Sequence, residues 1–392
     1  MHSPLLQDFR KSFIFSVPTK IIFGIGTIDK IAEEIMELKI AKPLIVTDQG
    51  IVSSGLLEIL EGILKGNNIN YEIFSQVKSN PTSQTITKGT HKYLNSLCNG
   101  LIALGGGSTI DAAKAIGIQA RHNKPVCYFS GINKVEKETP PLIAIPTTVG
   151  TGAEISFQAI LLNNNTNCKI VISSPKIAPD AAIYDPQLLA TLPISVAAAT
   201  GIDSLARAIE SYVSKEATLL TDVINIEAIR LTGSSLRQFV ADPSNLDYGV
   251  KIQLASILSA VGSINSENGI VSSMAKPLEG YLNIHHGIAC GVMLPHVMQW
   301  NLIANPDKYA LIAELLGEEV SGFSVIDRSA KAVSSVQKLV YDIGLPTTLT
   351  EIGFKYELIE DMAQDIINSY NANSNPRRTT KEDIINLYNQ AI

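Results

Sequence analysis

Cysteine, tryptophan, charge and long apolar runs are all scarce in this chain, which carries four cysteines, one tryptophan and 17% charged residues among 392. Cys98, Cys127, Cys168 and Cys290 form no Cys-x-x-Cys pair and no other metal-binding spacing. A miniature disulfide scaffold is thereby excluded, and a reducing, cytoplasmic setting is expected. The opening residues MHSPLLQDFRKSF lack the unbroken apolar stretch of a secretory signal, in line with that expectation. The richest apolar runs, such as Leu101 to Leu104 and Ala197 to Ala199, fall far short of the roughly 20 residues needed to cross a bilayer, so no membrane partner is expected. Lys and Arg number 31 against 37 Asp and Glu, a net charge of −6, and the basic residues are scattered. That argues against nucleic acid as a partner and leaves phosphate to be bound locally, by backbone.

What the chain does have is apolar substance, with hydrophobic residues at 45%. That suffices for a sizeable core, and the length suits two domains of ordinary size. Up to about residue 190, short β-branched runs alternate with helical stretches: Lys20 to Phe23, Pro43 to Thr47, Tyr71 to Phe74, Gly100 to Leu104 and Leu142 to Pro146. Alternation of this kind predicts a parallel sheet wrapped by helices. After Thr191-Leu192-Pro193 the spacing turns helical, over Val196 to Ser214, Ala217 to Val240, Lys251 to Ser263 and Arg328 to Ile343. The expected organisation is an α/β Rossmann-like domain over residues 1–190 and an all-α domain over 191–392. The polar stretches Asn163 to Asn167 and Asn371 to Arg378 read as loops, and Met293, Met298 and Trp300 read as core.

The most informative local signal runs from Gly100 to Lys114: a buried-type strand, then Gly105, Gly106 and Gly107, then Ser108, Thr109 and Asp111 opening a helix. Glycines admit backbone N–H groups to a pyrophosphate, and the helix N-terminus adds its positive end, so a dinucleotide fits. A plain strand-to-helix turn would look the same, and context decides. An earlier strand ends in Asp48, where a carboxylate accepts hydrogen bonds from a ribose diol and repels a 2′-phosphate, favouring NAD over NADP; capping the following turn is its other use. A third strand leads into Thr147, Thr148 and Thr151, whose hydroxyls lie at the same sheet edge.

At these residues the chain resembles the iron-containing (group III) alcohol dehydrogenase family, whose hallmarks include a GGGS-x-x-D-x-x-K loop and a PTTxGTGSE segment. The likeness runs from Phe23-Gly24 through Asp185-Pro186, Gly201-Ile202-Asp203, His286-Gly287 and Leu294-Pro295-His296 to Asn375-Pro376-Arg377. It implies the dehydroquinate synthase-like architecture, NAD as cofactor, a homodimer, and an active site in the cleft between the domains. It also implies one divalent ion held by an Asp and three His. The first pair belongs to G-x-D-A-L-x-H-A-x-E, and here Asp203 is kept while Arg207 takes the histidine position. The second pair flanks a histidine that lies close to the nicotinamide; here Ser272 replaces the first ligand, Lys276 the middle histidine, and His286 remains.

A guanidinium does not give up its proton to coordinate, and its charge repels a divalent ion. No metal is therefore expected, with Asp203 and His286 as residual ligand positions. The alternative is a set rebuilt from Asp203 and His286 with His285, Glu279 or Glu267. In the metal-free case Arg207 and Lys276 supply the positive charge that stabilises an oxyanion, Lys276 donates the proton, and His286 is a hydrogen-bond partner or relay. Two further uses stay open: Arg207 paired with Asp203 four residues before it, and both cations gripping a substrate carboxylate or phosphate. The expected activity is NAD(P)-dependent interconversion of a small aldehyde or ketone and its alcohol. Competing readings are a transient-NAD enzyme of the sugar-phosphate cyclase type and a catalytically silent nucleotide-binding homologue.

Overall fold

The computed structural model describes residues 12–164, 169–367 and 373–392, so Cys168 and parts of the two polar loops lie outside the described residues. The chain divides into two units: one spans Val17–Leu192, and the other takes Pro193–Ile392. The segment before Val17 groups with the latter, the Ser16 N–H donating to Asn265 Oδ1 at 2.8 Å.

Among its described residues the first unit carries nine strands: β1 (Lys20–Phe23), β2 (Pro43–Asp48), β3 (Glu72–Val77), β4 (Gly100–Gly105), β5 (Gly131–Ile132), β6 (Leu142–Pro146), β7 (Gln158–Leu162), β8 (Lys169–Ser173) and β9 (Ala181–Tyr184). Six of them form a sheet in the order β1-β9-β6-β4-β2-β3, every pairing parallel. Its central strands are buried on both faces, which is why they read as continuous apolar runs. Leu44, Val46, Leu101, Ala103, Leu142 and Ala144 point into one core, and Ile45, Ile102, Leu104, Ile143 and Ile145 into the other. The helices α1 (Ile31–Glu37), α2 (Gln49–Ser53), α3 (Leu56–Gly66), α4 (Ser83–Asn95) and α5 (Gly107–His122) connect the strands. A small sheet of order β5-β8-β7, which the apolar runs do not announce, is pinned to α5. Asp111 Oδ2 accepts from the Ile160 N–H at 3.1 Å, and the buried Lys114 Nζ donates to the Ser156 and Gln158 carbonyls at 2.8 and 2.7 Å. A fully buried lysine is tolerable because oxygens surround it and a carboxylate stands one turn before it; burial raises the Asp111 carboxyl and lowers the Lys114 ammonium.

The second unit is helical: α6 (Ile194–Val213), α7 (Leu219–Ala241), α8 (Leu246–Ser266), α9 (Ile270–Leu282), α10 (His286–Asn301), α11 (Pro306–Leu315), α12 (Val325–Asp342), α13 (Ile359–Ile367) and α14 (Lys381–Gln390). The helix expected from Lys251 begins earlier, at Leu246, because Asn245 caps it by accepting from the Asp247 N–H. Helix α6 is the hub: every residue from Ala197 to Val213 is buried except Arg207. A helix buried on every side belongs at a core, and the charged side chains α6 carries, Asp203, Arg207 and Glu210, follow one another at helical spacing, Arg207 alone of them being half-buried. Met293 and Met298 are buried as expected, but Trp300 is half-buried, stacked beneath the Arg377 guanidinium at 3.2 Å, which makes it a cation platform and not core. Among the described residues no helix is long and apolar enough to cross a membrane.

Candidate active site

Two constellations carry chemistry, one in each unit. In the α/β unit, β4 ends at Gly105 (φ 152°), where a Cβ would stand 2.7 Å from Thr109 Oγ1. Gly106 then caps the N-terminus of α5 without any side-chain cap; its carbonyl accepts from the Thr109 and Ile110 N–H groups, so the Gly107 and Ser108 N–H groups are the ones left for a ligand. A Cβ at Gly106 would lie 3.2 Å from Thr148, and one at Gly107 2.9 Å from Thr151. The glycines therefore line a cradle whose walls are threonines, with Ser108 half-buried in the helix's first turn. The Thr147 N–H donates to the Gly105 carbonyl at 3.2 Å and closes the β4 and β6 edges together. Thr148 Oγ1 is buried and has no hydrogen-bond partner among the described residues. An orphaned hydroxyl over a glycine cradle at a helix N-terminus fits a phosphate-bearing cofactor.

Asp48, at the end of β2, makes the turn cap that the sequence allows and a second bond to the first turn of α5. Its Oδ1 caps α2 by accepting from the Ile51 N–H at 3.1 Å, and its Oδ2 accepts from Thr109 Oγ1 at 3.2 Å, which joins the end of β2 to the first turn of α5. Thr151 Oγ1 donates to Glu154 Oε2 at 3.3 Å, while the Tyr184 hydroxyl donates to Glu154 Oε1 at 3.1 Å, fixing the threonine loop against β9. Asp111 makes its bond to β7, so among the predicted cofactor residues its partner is a neighbouring strand.

In the helical unit the side chains come from three helices at regular spacing. Asp203, Arg207 and Glu210 lie on one face of α6; Ser272, Lys276 and Glu279 lie on one face of α9; His286 and Cys290 are four apart on α10. Helix α10 approaches α6 backbone to backbone, since a Cβ at Gly287 would fall 1.8 Å from the Ala199 carbonyl oxygen. That approach sets His286 and Cys290 beside Asp203. Arg207 Nη2 donates to Asp203 Oδ2 at 3.4 Å, and the Cys290 Sγ–H faces Asp203 Oδ1 at 3.9 Å. His286 Nδ1 is 3.3 Å from Glu279 Oε2, and His285 caps α10, its Nδ1 accepting from the Gly287 N–H at 3.1 Å. Burial pushes the Cys290 thiol well above its usual range.

The residues present do not fit the four-ligand metal set that the resemblance implies. Position 207 holds a cation on the very carboxylate that would bind the ion, and Ser272 Oγ is directed to Glu210 Oε2 at 2.6 Å. A different donor set exists, however: ligand atoms of Asp203, His286 and Cys290 lie within 4.8 Å of one another. Cys290 and Glu210 escaped the sequence reading, although each had a signal. Cys290 follows His286 by one helical turn, and Glu210 ends the segment that begins at Gly201.

Comparison with known proteins bears on both constellations. The profile described as "Iron-containing alcohol dehydrogenase" matches residues 18–186, and that described as "Fe-containing alcohol dehydrogenase family, C-terminal" matches residues 197–392. The 1,3-propanediol dehydrogenase of Klebsiella pneumoniae is 37% identical over 383 residues, 97% of this chain and 99% of that protein. The NAD-dependent methanol dehydrogenase of Bacillus methanolicus is 33% identical over 378 residues, 96% of this chain and 99% of that one. The crystal structure of a 1,3-propanediol oxidoreductase matches with a TM-score of 0.95 at 37% identity, covering 97% of this chain and 100% of that chain.

Proposed function

We propose that this chain, which belongs to the iron-containing alcohol dehydrogenase family, interconverts a small aldehyde or ketone and its alcohol with NAD(H), using fixed side-chain cations in place of the family's metal. As a member of that family it is an alcohol dehydrogenase/carbonyl reductase. The observation that carries the proposal is the Arg207 guanidinium bonded to Asp203, with Ser272 turned away to Glu210. Both altered ligand positions, 207 and 272, are thereby committed to protein partners, and the local charge is built in.

NAD, when bound, supplies or accepts the hydride. Gly105, Gly106, Gly107 and Ser108 offer backbone donors to its phosphates, Thr147, Thr148 and Thr151 wall the cradle, and Asp48 selects a free ribose diol. At the carbonyl, Asp203 holds the guanidinium in one orientation, so Arg207 and Lys276 present donors where negative charge develops on oxygen. Lys276 then donates a proton to the alkoxide in the reductive direction and takes it back in the oxidative one. Glu279 Oε2 stands 3.3 Å from His286 Nδ1, an ion-pair distance when the ring is protonated, and His286 Nε2 serves as a hydrogen-bond partner or relay. The same two cations suit an aldehyde that also bears a carboxylate or phosphate. We carry homodimerisation and a cytoplasmic location as part of this reading.

The Lys276→Ala variant tests it. Turnover with short-chain aldehydes should fall about 100-fold or more, the usual loss for one oxyanion donor, while NADH affinity stays within twofold; unchanged turnover rejects the assignment. Absence of NADH consumption by any carbonyl compound in the unmodified enzyme would favour the silent-binder reading instead.

One second reading has its own observation. Asp203, His286 and Cys290 bring a carboxylate, an imidazole and a thiol together, a donor set that would hold zinc with an open fourth position once the thiol gave up its proton to the ion. Glu279 at the His286 ring is the outer partner such a ligand needs. In that reading Cys290, and not His285, Glu279 or Glu267, is the substitute ligand.

A further inference from the structure

Helix α9 begins at Gly269, which offers no side-chain cap of its own. Its first-turn donors are taken instead by a carboxylate from another helix. Glu210 Oε1 accepts from the Val271 N–H at 2.6 Å, and Oε2 accepts from the Ser272 N–H at 3.3 Å and from Ser272 Oγ at 2.6 Å. Glycine at 269 is what admits it, since a Cβ there would stand 2.8 Å from Glu210 Oε1. A negative group at a helix N-terminus is favoured by the dipole, and charge-assisted bonds of this length are the stronger class. Glu210 is 4% exposed, so these bonds are made away from bulk solvent.

The spacing on the two helices gives this lock a direction. Ser272 and Lys276 are one turn apart on the same face of α9, so a bond that fixes Ser272 fixes the rotation of α9 on which Lys276 depends. At the other end, Glu210 shares its α6 face with Arg207, three residues before it. One carboxylate thus sets the two cation-bearing faces in register. The position at which relatives by resemblance carry a ligand histidine has here become part of a helix lock.

We infer that Glu210, through Ser272, is a positioning residue for Lys276. The inference rests on the proposed role of Lys276 in turnover, and a double-mutant cycle separates the two. Lys276→Ala, Glu210→Gln and the double variant are compared for kcat, KM of the aldehyde and NADH affinity. The account expects Glu210→Gln to lower kcat about tenfold with NADH affinity unchanged, and to cost less than twofold further in the Lys276→Ala background, because residues acting as a unit are non-additive. Multiplicative losses would overturn the positioning role while leaving Lys276 in place. A Lys276→Ala enzyme with full kcat would overturn the catalytic reading and this inference with it. If Glu210→Gln fails to fold, Ser272→Ala and Ser272→His serve in the same cycle: each removes the hydroxyl bond, and both should lower kcat in the Lys276 background only. Full kcat in both would refute the lock.

Discussion

The glycine cradle and the helical cluster treat their chemistry in opposite ways. The cradle is made of backbone, and a Cβ at Gly106 would press on Thr148 at 3.2 Å and one at Gly107 on Thr151 at 2.9 Å. A side chain added there crowds the cradle's own threonines, so a substitution acts on the cradle's shape directly. The helical cluster is made of side chains on a scaffold fixed elsewhere, by Gly287 against the Ala199 carbonyl and by Glu210 at the start of α9. Arg207 and Lys276 can therefore stand where histidines are implied while that scaffold stays as it is, and Ser272 has joined the scaffold through its bond to Glu210. A site's scaffold and its reactive groups are separable when the groups project from helices, and inseparable when the backbone is the site.

That contrast can be broken in three places. The largest effect is expected from Gly287→Ala, which drives a methyl into the Ala199 carbonyl. Overpacking at a backbone contact costs on the order of 3 kcal/mol or more, and thermal melting should show it as a markedly lower Tm; an unchanged Tm would mean α10 does not depend on this approach. Next comes Gly107→Ala, whose methyl meets Thr151. It should weaken NADH binding about tenfold, roughly 1.4 kcal/mol, with little change in Tm, as read by fluorescence titration. Equal affinity would remove the cradle from the cofactor site. The smallest effect is a control away from both sites. Lys92 and Lys42 hold the Glu72 carboxyl down to about 2. A depressed carboxyl contributes stability above its ordinary range near 4.5 that is lost as pH falls toward 2. Glu72→Gln should flatten that acid limb slightly, since the pair is partly exposed, and leave kcat and NADH affinity at pH 7 unmoved.

The two regions also differ in how much the sequence discloses. The five strands expected from apolar runs are all present; for β2, β4 and β6 two-sided burial leaves that mark in composition, whereas the equally buried β9, four residues long, went unread. The small β5-β8-β7 sheet left no such mark: Gln158–Leu162 and Lys169–Ser173 alternate buried with half-exposed residues and depend on the Asp111 and Lys114 tethers. The cradle was legible as a motif, and Asp48 as a strand-end carboxylate. In the helical unit the losses at 207 and 272 were legible by position. What replaced them was not, because Ser272 meets Glu210 from 62 residues away and Cys290 meets Asp203 from 87. Such partners are brought together by helix packing, which no local pattern encodes.

The central claim is that fixed cations, and no bound metal, supply the charge at the carbonyl oxygen. It is tested most directly by treating the purified protein with a strong chelator, desalting it, and measuring metal content and NADH-dependent aldehyde turnover on the same sample, then adding one equivalent of Co²⁺. The account predicts undiminished turnover at metal far below one per chain and no gain from cobalt. Turnover that disappears with the metal and returns with cobalt, together with a thiolate-to-cobalt absorption band that Cys290→Ser abolishes, would contradict it and establish the Asp203–His286–Cys290 site.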